Sequence, residues 1–218
     1  MSEYGVLVLG GTGQVGAAVV QALLDAKHCA EVVMITRRPV ASGGDARLRV
    51  VVLDTDSPSF EAEVAALAKS CGPREMFGAS CVGIGSGSLK WSEEELTKLE
   101  VGVVGAFARG CRAGGIESFG LLTAAGTSSN SLVRYARVMG RKEEAVQAVG
   151  FARLAIFRPG IIAGNAHTPK FLGALGRLVP GPWGTIDQTA IGRAFVREFE
   201  RRDFSGVKIL HNAQMRQG

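Results

Sequence analysis

The stretch VLVLGGTGQVG, residues 6–16, decides the fold. An apolar run, Val6 to Leu9, enters a cluster of glycines, and AAVVQALLDA over 17–26 then repeats its apolar residues at helical spacing. The pattern predicts a buried strand, a tight turn and a helix. Gly10, Gly13 and Gly16 stand at G-x-x-G-x-x-G spacing. At a helix amino end the unpaired amides and the dipole favour an anion such as a pyrophosphate, and missing side chains let it come close. Glycines also serve ordinary tight turns, but the strand-turn-helix context selects a dinucleotide site, with Thr12, Gln14 and Val15 completing the turn.

Outward from this turn the same alternation continues. EVVMITRR (31–38) and LRVVVLD (48–54) read as buried strands and FEAEVAALAKS (60–70) as a helix. MFGASCVGIGSGS (76–88) reads as a strand running into a Gly/Ser loop. Ser92 and Glu95 form a capping box that opens a helix from about Glu93 to Arg112. Within it Gly102 and Gly105 each cost about 1 kcal/mol relative to Ala, so a close-packed face is expected there. ESFGLLTAAG (117–126) is a strand, LVRYARVMGRKEE (132–144) lies in the helix after it, and ARLAIFRPGII (152–162) is a strand with a Pro-Gly turn near its end. FLGALGRLV (171–179) and TIDQTAIGRAFVREFERR (185–202) read as helices and GVKILHN (206–212) as a closing strand. The chain is thus expected to be a single α/β domain over residues 1–218 with a doubly wound, mainly parallel sheet, and a small substrate or lid region around 163–190. In such a sheet ligands bind beyond the carboxyl ends of the strands, where strand order reverses.

Composition narrows the function. The 218 residues are 46% hydrophobic and 21% charged, as in a folded chain with one core. The net charge of +5 is spread along the chain without an aromatic-and-basic array, so no nucleic acid is expected as partner. No apolar run nears the roughly 20 residues of a membrane span, and MSEYGVLVLGG enters a strand too early for a signal peptide; a cytoplasmic protein is expected. Cys29, Cys71, Cys81 and Cys111 lie far apart and read as reduced core thiols. His28, His167 and His211 lack metal-ligand spacing, so no metal site is expected. No G-x-S-x-G nucleophile turn occurs, and GIGSGS (83–88) lacks the Lys-Ser/Thr pair of a Walker loop.

The second strand ends in ITRRP (35–39), where an NAD-specific fold often carries an acid for the ribose hydroxyls. Arg37 and Arg38 would instead pair with a 2′-phosphate, which favours NADP(H), unless they form a solvated basic turn. Asp54, ending VVLD, either meets the adenine edge or caps its own loop.

With these residues in hand, the sequence resembles the atypical short-chain dehydrogenase/reductase family, most closely the branch of the human Tat-interacting oxidoreductase and the NmrA-like proteins. VLVLGGTGQVG, TRRP, VVLD, CVGIG, LLTAAG, Tyr135 within RYARVMG, and FRPGIIAG carry the likeness. The resemblance implies a Rossmann domain with NADP(H) across its strand ends. It implies Gly10, Gly13 and Gly16 at the pyrophosphate, Arg37 at the 2′-phosphate, Asp54 at the adenine, Gly83 beside the ribose, and Pro159 and Ile161 against the nicotinamide. In catalytic relatives a Tyr transfers a proton to or from a carbonyl, a Lys one turn on lowers its pKa and holds the ribose, and a Ser or Thr orients the carbonyl. Tyr135 matches the first role and also faces the cofactor; Thr123 is the candidate for the third. The lysine position is Met139, and Ala124 stands where many relatives have a second hydroxyl.

Lys142 shares the helix face of Tyr135 but sits about 10.5 Å farther along the axis, too far to replace that lysine. Arg134, Arg137, Arg141 and Lys142 read together as a solvated helix face. Two functions follow: an NADPH-dependent reductase of a small carbonyl substrate with weakened catalysis, or a non-catalytic NADP(H)-binding protein acting on a regulatory partner.

Overall fold

The computed structural model describes residues 2–41, 43–72, 74–84, 90–163, 183–201 and 203–217. Strand β1 (Tyr4–Leu9) is buried at every residue and leads through the glycine turn into α1 (Gln14–Asp25). Then follow β2 (Cys29–Thr36), β3 (Leu48–Val52), α2 (Phe60–Ser70) and β4 (Glu75–Ser80). A helical stretch comprises α3 (Glu93–Thr97), a π-helical turn (Lys98–Val103) and α4 (Val104–Ala113). Next come β5 (Ser118–Leu122), α5 (Arg134–Gln147) and β6 (Arg153–Phe157). The short pair β7 (Ile161–Ile162) and β8 (Thr185–Ile186), α6 (Gln188–Glu200), β9 (Gly206–Leu210) and α7 (Asn212–Met215) are the remaining elements among the described residues.

Seven strands form one sheet in the order β3-β2-β1-β4-β5-β6-β9, and every pairing is parallel. Both faces are covered, which is why the central strands are near-continuous apolar runs. On one face α1 and α6 pack over Val6, Val8 and Phe77; on the other α2, α4 and α5 pack over Leu7, Leu9, Phe119 and Ile156. Strand order reverses between β1 and β4, so the crevice at their carboxyl ends is where a doubly wound sheet takes its ligand.

Several expectations shift in detail. The crossover from β2 to β3 carries no helix among its described residues. The stretch expected as one strand over 152–162 breaks after Phe157, and Ile161 and Ile162 pair with β8 instead. The helix opened by the Ser92–Glu95 capping box, which is present, loosens into a π turn around Gly102. Its close-packed glycines are Gly110 and Gly114: an added Cβ would lie 2.6 Å from the Glu61 carbonyl oxygen at the first and 2.4 Å from the Ala68 Cβ at the second. The four cysteines are free and buried, as expected. The helix expected over 171–179 and most of the expected lid region lie outside the described residues.

Candidate functional site

The turn after β1 is shaped by backbone packing. Gly10 has φ +84°, and a Cβ there would lie 2.7 Å from the Val82 amide nitrogen. At Gly16 a Cβ would stand 2.0 Å from the Gly10 carbonyl oxygen, so α1 can approach the turn only as glycine. The Gly13 amide closes the turn on Gly10 at 3.2 Å, and the first intrahelical bond runs from Ala17 to Gly13 at 2.7 Å. The amides of Gln14, Val15 and Gly16 precede that bond, at the positive end of a helix with no acidic residue in its first turn.

This turn is the floor of a cleft in two adjoining parts. One, of about 190 Å³, is lined by Gly10, Thr12, Gly13, Thr36, Arg37 and Thr55. The other, of about 360 Å³, is lined by Gln14, Val15, Leu122, Thr123, Tyr135, Met139 and Ile162. Thr12, Gly13 and the segment Cys81–Ile84 border both, so the two parts adjoin along these residues, with Arg37 on one and Tyr135 on the other. Its position is the strand-order reversal. A larger groove of about 830 Å³ lies outside the sheet between α1 and α6, away from these strand ends.

The structure brings Gly10, Thr12, Gly13, Gln14, Val15, Arg37, Gly83, Thr123 and Tyr135 to this cleft, with Gly16 behind the turn. It turns other expected residues away. Arg38 is exposed outside the lining, and its carbonyl oxygen accepts the Thr36 hydroxyl at 2.8 Å. Asp54 accepts the Asp56 amide at 2.9 Å, so it caps its own loop and Thr55 lines the cleft in its place. Pro159 is buried and its carbonyl oxygen accepts the Ala125 amide at 2.8 Å; Ile162, one residue beyond Ile161, faces the cleft.

Helix α5 forms the wall opposite the glycine turn, and Gly140 lets it press against the preceding loop: a Cβ there would lie 2.0 Å from the Ser129 nitrogen. Met139 is 1% exposed, clustered with Leu96 and Val138 and touching the cleft beside half-buried Tyr135. Thr123 is equally committed to structure. Its hydroxyl donates to Glu143 Oε1 at 2.7 Å, and Arg158 Nε donates to the same oxygen at 2.9 Å.

The expectation of a solvated basic face on α5 is corrected at Lys142, whose side chain is wholly buried and paired with Glu100 at 2.9 Å. Arg137 and Arg141 do lie outside, both paired with Glu93. The inner stripe Val138, Met139, Lys142, Glu143, Val146 has helical spacing, and that periodicity was the signal for the two buried charges. Sequence reasoning singled out neither Thr55 and Ile162, which line the cleft, nor Glu100, Glu143 and Arg158, whose side chains brace its walls.

Burial holds the Cys81 thiol, which lines both parts of the cleft, up at about 12 despite the nearby Lys142 ammonium. It is therefore a protonated wall group at neutral pH rather than a nucleophile. Among the described residues no cluster could hold a metal ion, and no helix is long and apolar enough to cross a membrane.

Comparison with known proteins agrees with the fold. The NAD dependent epimerase/dehydratase family matches residues 6–99, which include the glycine turn, Arg37 and the β4 loop. The structure of MoeE5 in complex with UDP-glucuronic acid and NAD superposes with a TM-score of 0.71 at 17% identity, over 95% of this chain and 76% of that one, which establishes the shared fold. Among curated proteins, "Protein fmp52-1, mitochondrial" of Aspergillus oryzae is 32% identical over 181 residues, covering 82% of this chain and 74% of the relative. "Protein fmp52, mitochondrial" of Aspergillus niger is 30% identical over 220 residues, covering 94% and 88%. The relatives' names call them mitochondrial, which overturns the expectation of a cytoplasmic location. The missing signal-peptide pattern concerned secretion and does not discriminate between these two compartments. With this likeness over most of both lengths, the chain belongs to the family of the fungal Fmp52 proteins.

Proposed function

We propose that the chain binds NADP(H) along the cleft and serves as an oxidoreductase-fold protein of the atypical short-chain branch, in the mitochondrion like its relatives. The two adjoining parts of the cleft, one reaching Arg37 and the other Tyr135 with the start of α1 between them, carry this reading. The cradle suits a dinucleotide because Cβ atoms at Gly10 and Gly16 would fill it or push α1 away. Amides at Gly13, Gln14 and Val15 would hold the pyrophosphate, Arg37 the 2′-phosphate, Thr55 the adenosine side, Gly83 a ribose, and Ile162 the nicotinamide face.

A bound nicotinamide would exchange a hydride with a small carbonyl compound. Tyr135 would give the carbonyl oxygen its proton. Met139 supplies neither the charge nor the hydrogen bond that would lower the phenol pKa. Thr123 gives its one hydroxyl proton to Glu143, so it does not orient the carbonyl by donating. Turnover is therefore expected to be slow. The second reading, a regulator that displays its cofactor state to a protein partner, is favoured by the same observation: α5 has one lysine, and its ammonium is taken up by Glu100 and Val82.

Titration of the purified chain with NADPH and with NADH tests the proposal. NADPH should bind at least about tenfold more tightly. Binding of neither nucleotide, or tighter binding of NADH, would overturn it.

A further inference from the structure

The loop that follows β4 rests on two charges with no exposed side-chain surface. Lys142 Nζ lies 2.9 Å from Glu100 Oε2, and both side chains are fully enclosed. Each also reaches the backbone above. Lys142 Nζ donates to the Val82 carbonyl oxygen at 2.7 Å, and Glu100 Oε1 accepts the Ile84 amide at 3.2 Å. Cation and anion thus grip the two ends of one short segment, and that segment borders both parts of the cleft.

Stability alone does not account for such a pair. Desolvating two charges offsets most of their attraction, and an apolar pair of similar volume is often as stable. Charge-assisted hydrogen bonds aimed at a particular carbonyl and a particular amide are what an apolar pair cannot supply. Side-chain packing does not fix the segment at its centre, because Gly83 is exposed and a Cβ there would meet nothing within 4 Å. Glu100 sits in the π-helical turn, a kind of turn that recurs at functional sites.

We propose that Lys142 and Glu100 are positioning residues of the nucleotide cleft: together they set the height of the backbone at 82–84 against the ribose side of a bound dinucleotide. This rests on the NADP(H) reading above. Removing the two tethers weakens nucleotide binding while the fold persists.

Two double variants test it, Lys142→Met with Glu100→Leu and Lys142→Met with Glu100→Gln. NADPH affinity is measured by fluorescence titration, and Tm without nucleotide by calorimetry. Both should melt close to the wild type. The Leu form should lose about tenfold in affinity. The Gln form, which keeps an acceptor for the Ile84 amide, should recover part of that loss. A folded Leu form that binds as tightly as the wild type, or equal losses in the two forms, would overturn the proposal. A second measurement needs no variant: in the wild type without nucleotide the Ile84 amide should be protected from hydrogen exchange, and fast exchange there would also overturn it. A wild type that binds neither nucleotide refutes the functional reading itself, and is told apart because no variant is involved.

Discussion

Lys142 and Glu143 are consecutive on α5, and their buried side chains hold different walls of one cleft. Lys142 reaches the loop after β4, through Val82 and Glu100. Glu143 receives the Thr123 hydroxyl at the end of β5 and the Arg158 guanidinium at the end of β6. One turn of helix therefore ties three neighbouring strand ends together where the sheet meets its ligand space. Thr123 is drawn into that tie, and its hydroxyl can only accept a hydrogen bond from the cleft side.

Glu143 should accordingly be the least replaceable of the group. Glu143→Ala removes the partner of both the part-buried Arg158 guanidinium and the buried Thr123 hydroxyl, and should cost about 3 kcal/mol, the low end for a buried pair because Arg158 keeps some solvent. Thr123→Val removes one neutral partner and should cost only about 1–2 kcal/mol. Urea unfolding of the two variants checks the order. Equal losses would mean that the carboxylate is not the hub.

Met139 and Tyr135 line the same part of the cleft, which makes the missing lysine testable. A lysine in place of Met139 has a similar stem and can bring its ammonium to the cleft edge while the stem stays packed on Leu96 and Val138. Met139→Lys should raise NADPH oxidation with aldehydes, ketones or quinones by about 100-fold over a slow wild type. Tyr135→Phe should abolish it in either background. A wild-type rate that survives Tyr135→Phe would remove Tyr135 from the role of acid.

What the sequence showed and what it concealed divide by range. The glycine turn was legible because its causes lie within ten residues: a strand, a helix start and three positions that admit no Cβ. The sheet was legible because buried strands and amphipathic helices differ in period. At the strand ends the cleft lining differs from the expected residues by one position, with Thr55 rather than Asp54 and Ile162 rather than Ile161 facing it. Successive residues leaving a strand face opposite ways, and the sequence does not mark where β3 stops or where β7 begins. Lys142 was misread for a different reason. The inner stripe of α5 marked its face as buried, but the partner that neutralises it, Glu100, stands 42 residues earlier on a π turn that no local pattern announces.

Arg37 is the lever for cofactor choice. It is exposed at the cleft rim, so changing it should leave the fold intact. Arg37→Glu places a negative charge where the 2′-phosphate would lie, and NADPH affinity should fall by more than about tenfold while NADH affinity holds. Parallel titrations read both. An equal loss for the two nucleotides would move the 2′-phosphate site elsewhere.

Alkaline pH should loosen the sheet through its buried thiols. Burial raises Cys29 to about 11 and Cys81 to about 12, from an ordinary 9.0. Tyr4, also buried and 3.3 Å from Glu200, is raised in the same direction. A raised value means that the folded chain keeps its proton where the unfolded chain has released it. The stabilising contribution is therefore complete below pH 9 and is lost as pH climbs toward 11, by at most about 1.4 kcal/mol per pH unit for each thiol. Other groups titrate in this window, so the informative quantity is the difference between proteins. Urea unfolding at pH 8 and at pH 10.5 should show a smaller drop in Cys29→Ala than in the wild type. An identical drop would show that Cys29 is not held protonated by the fold.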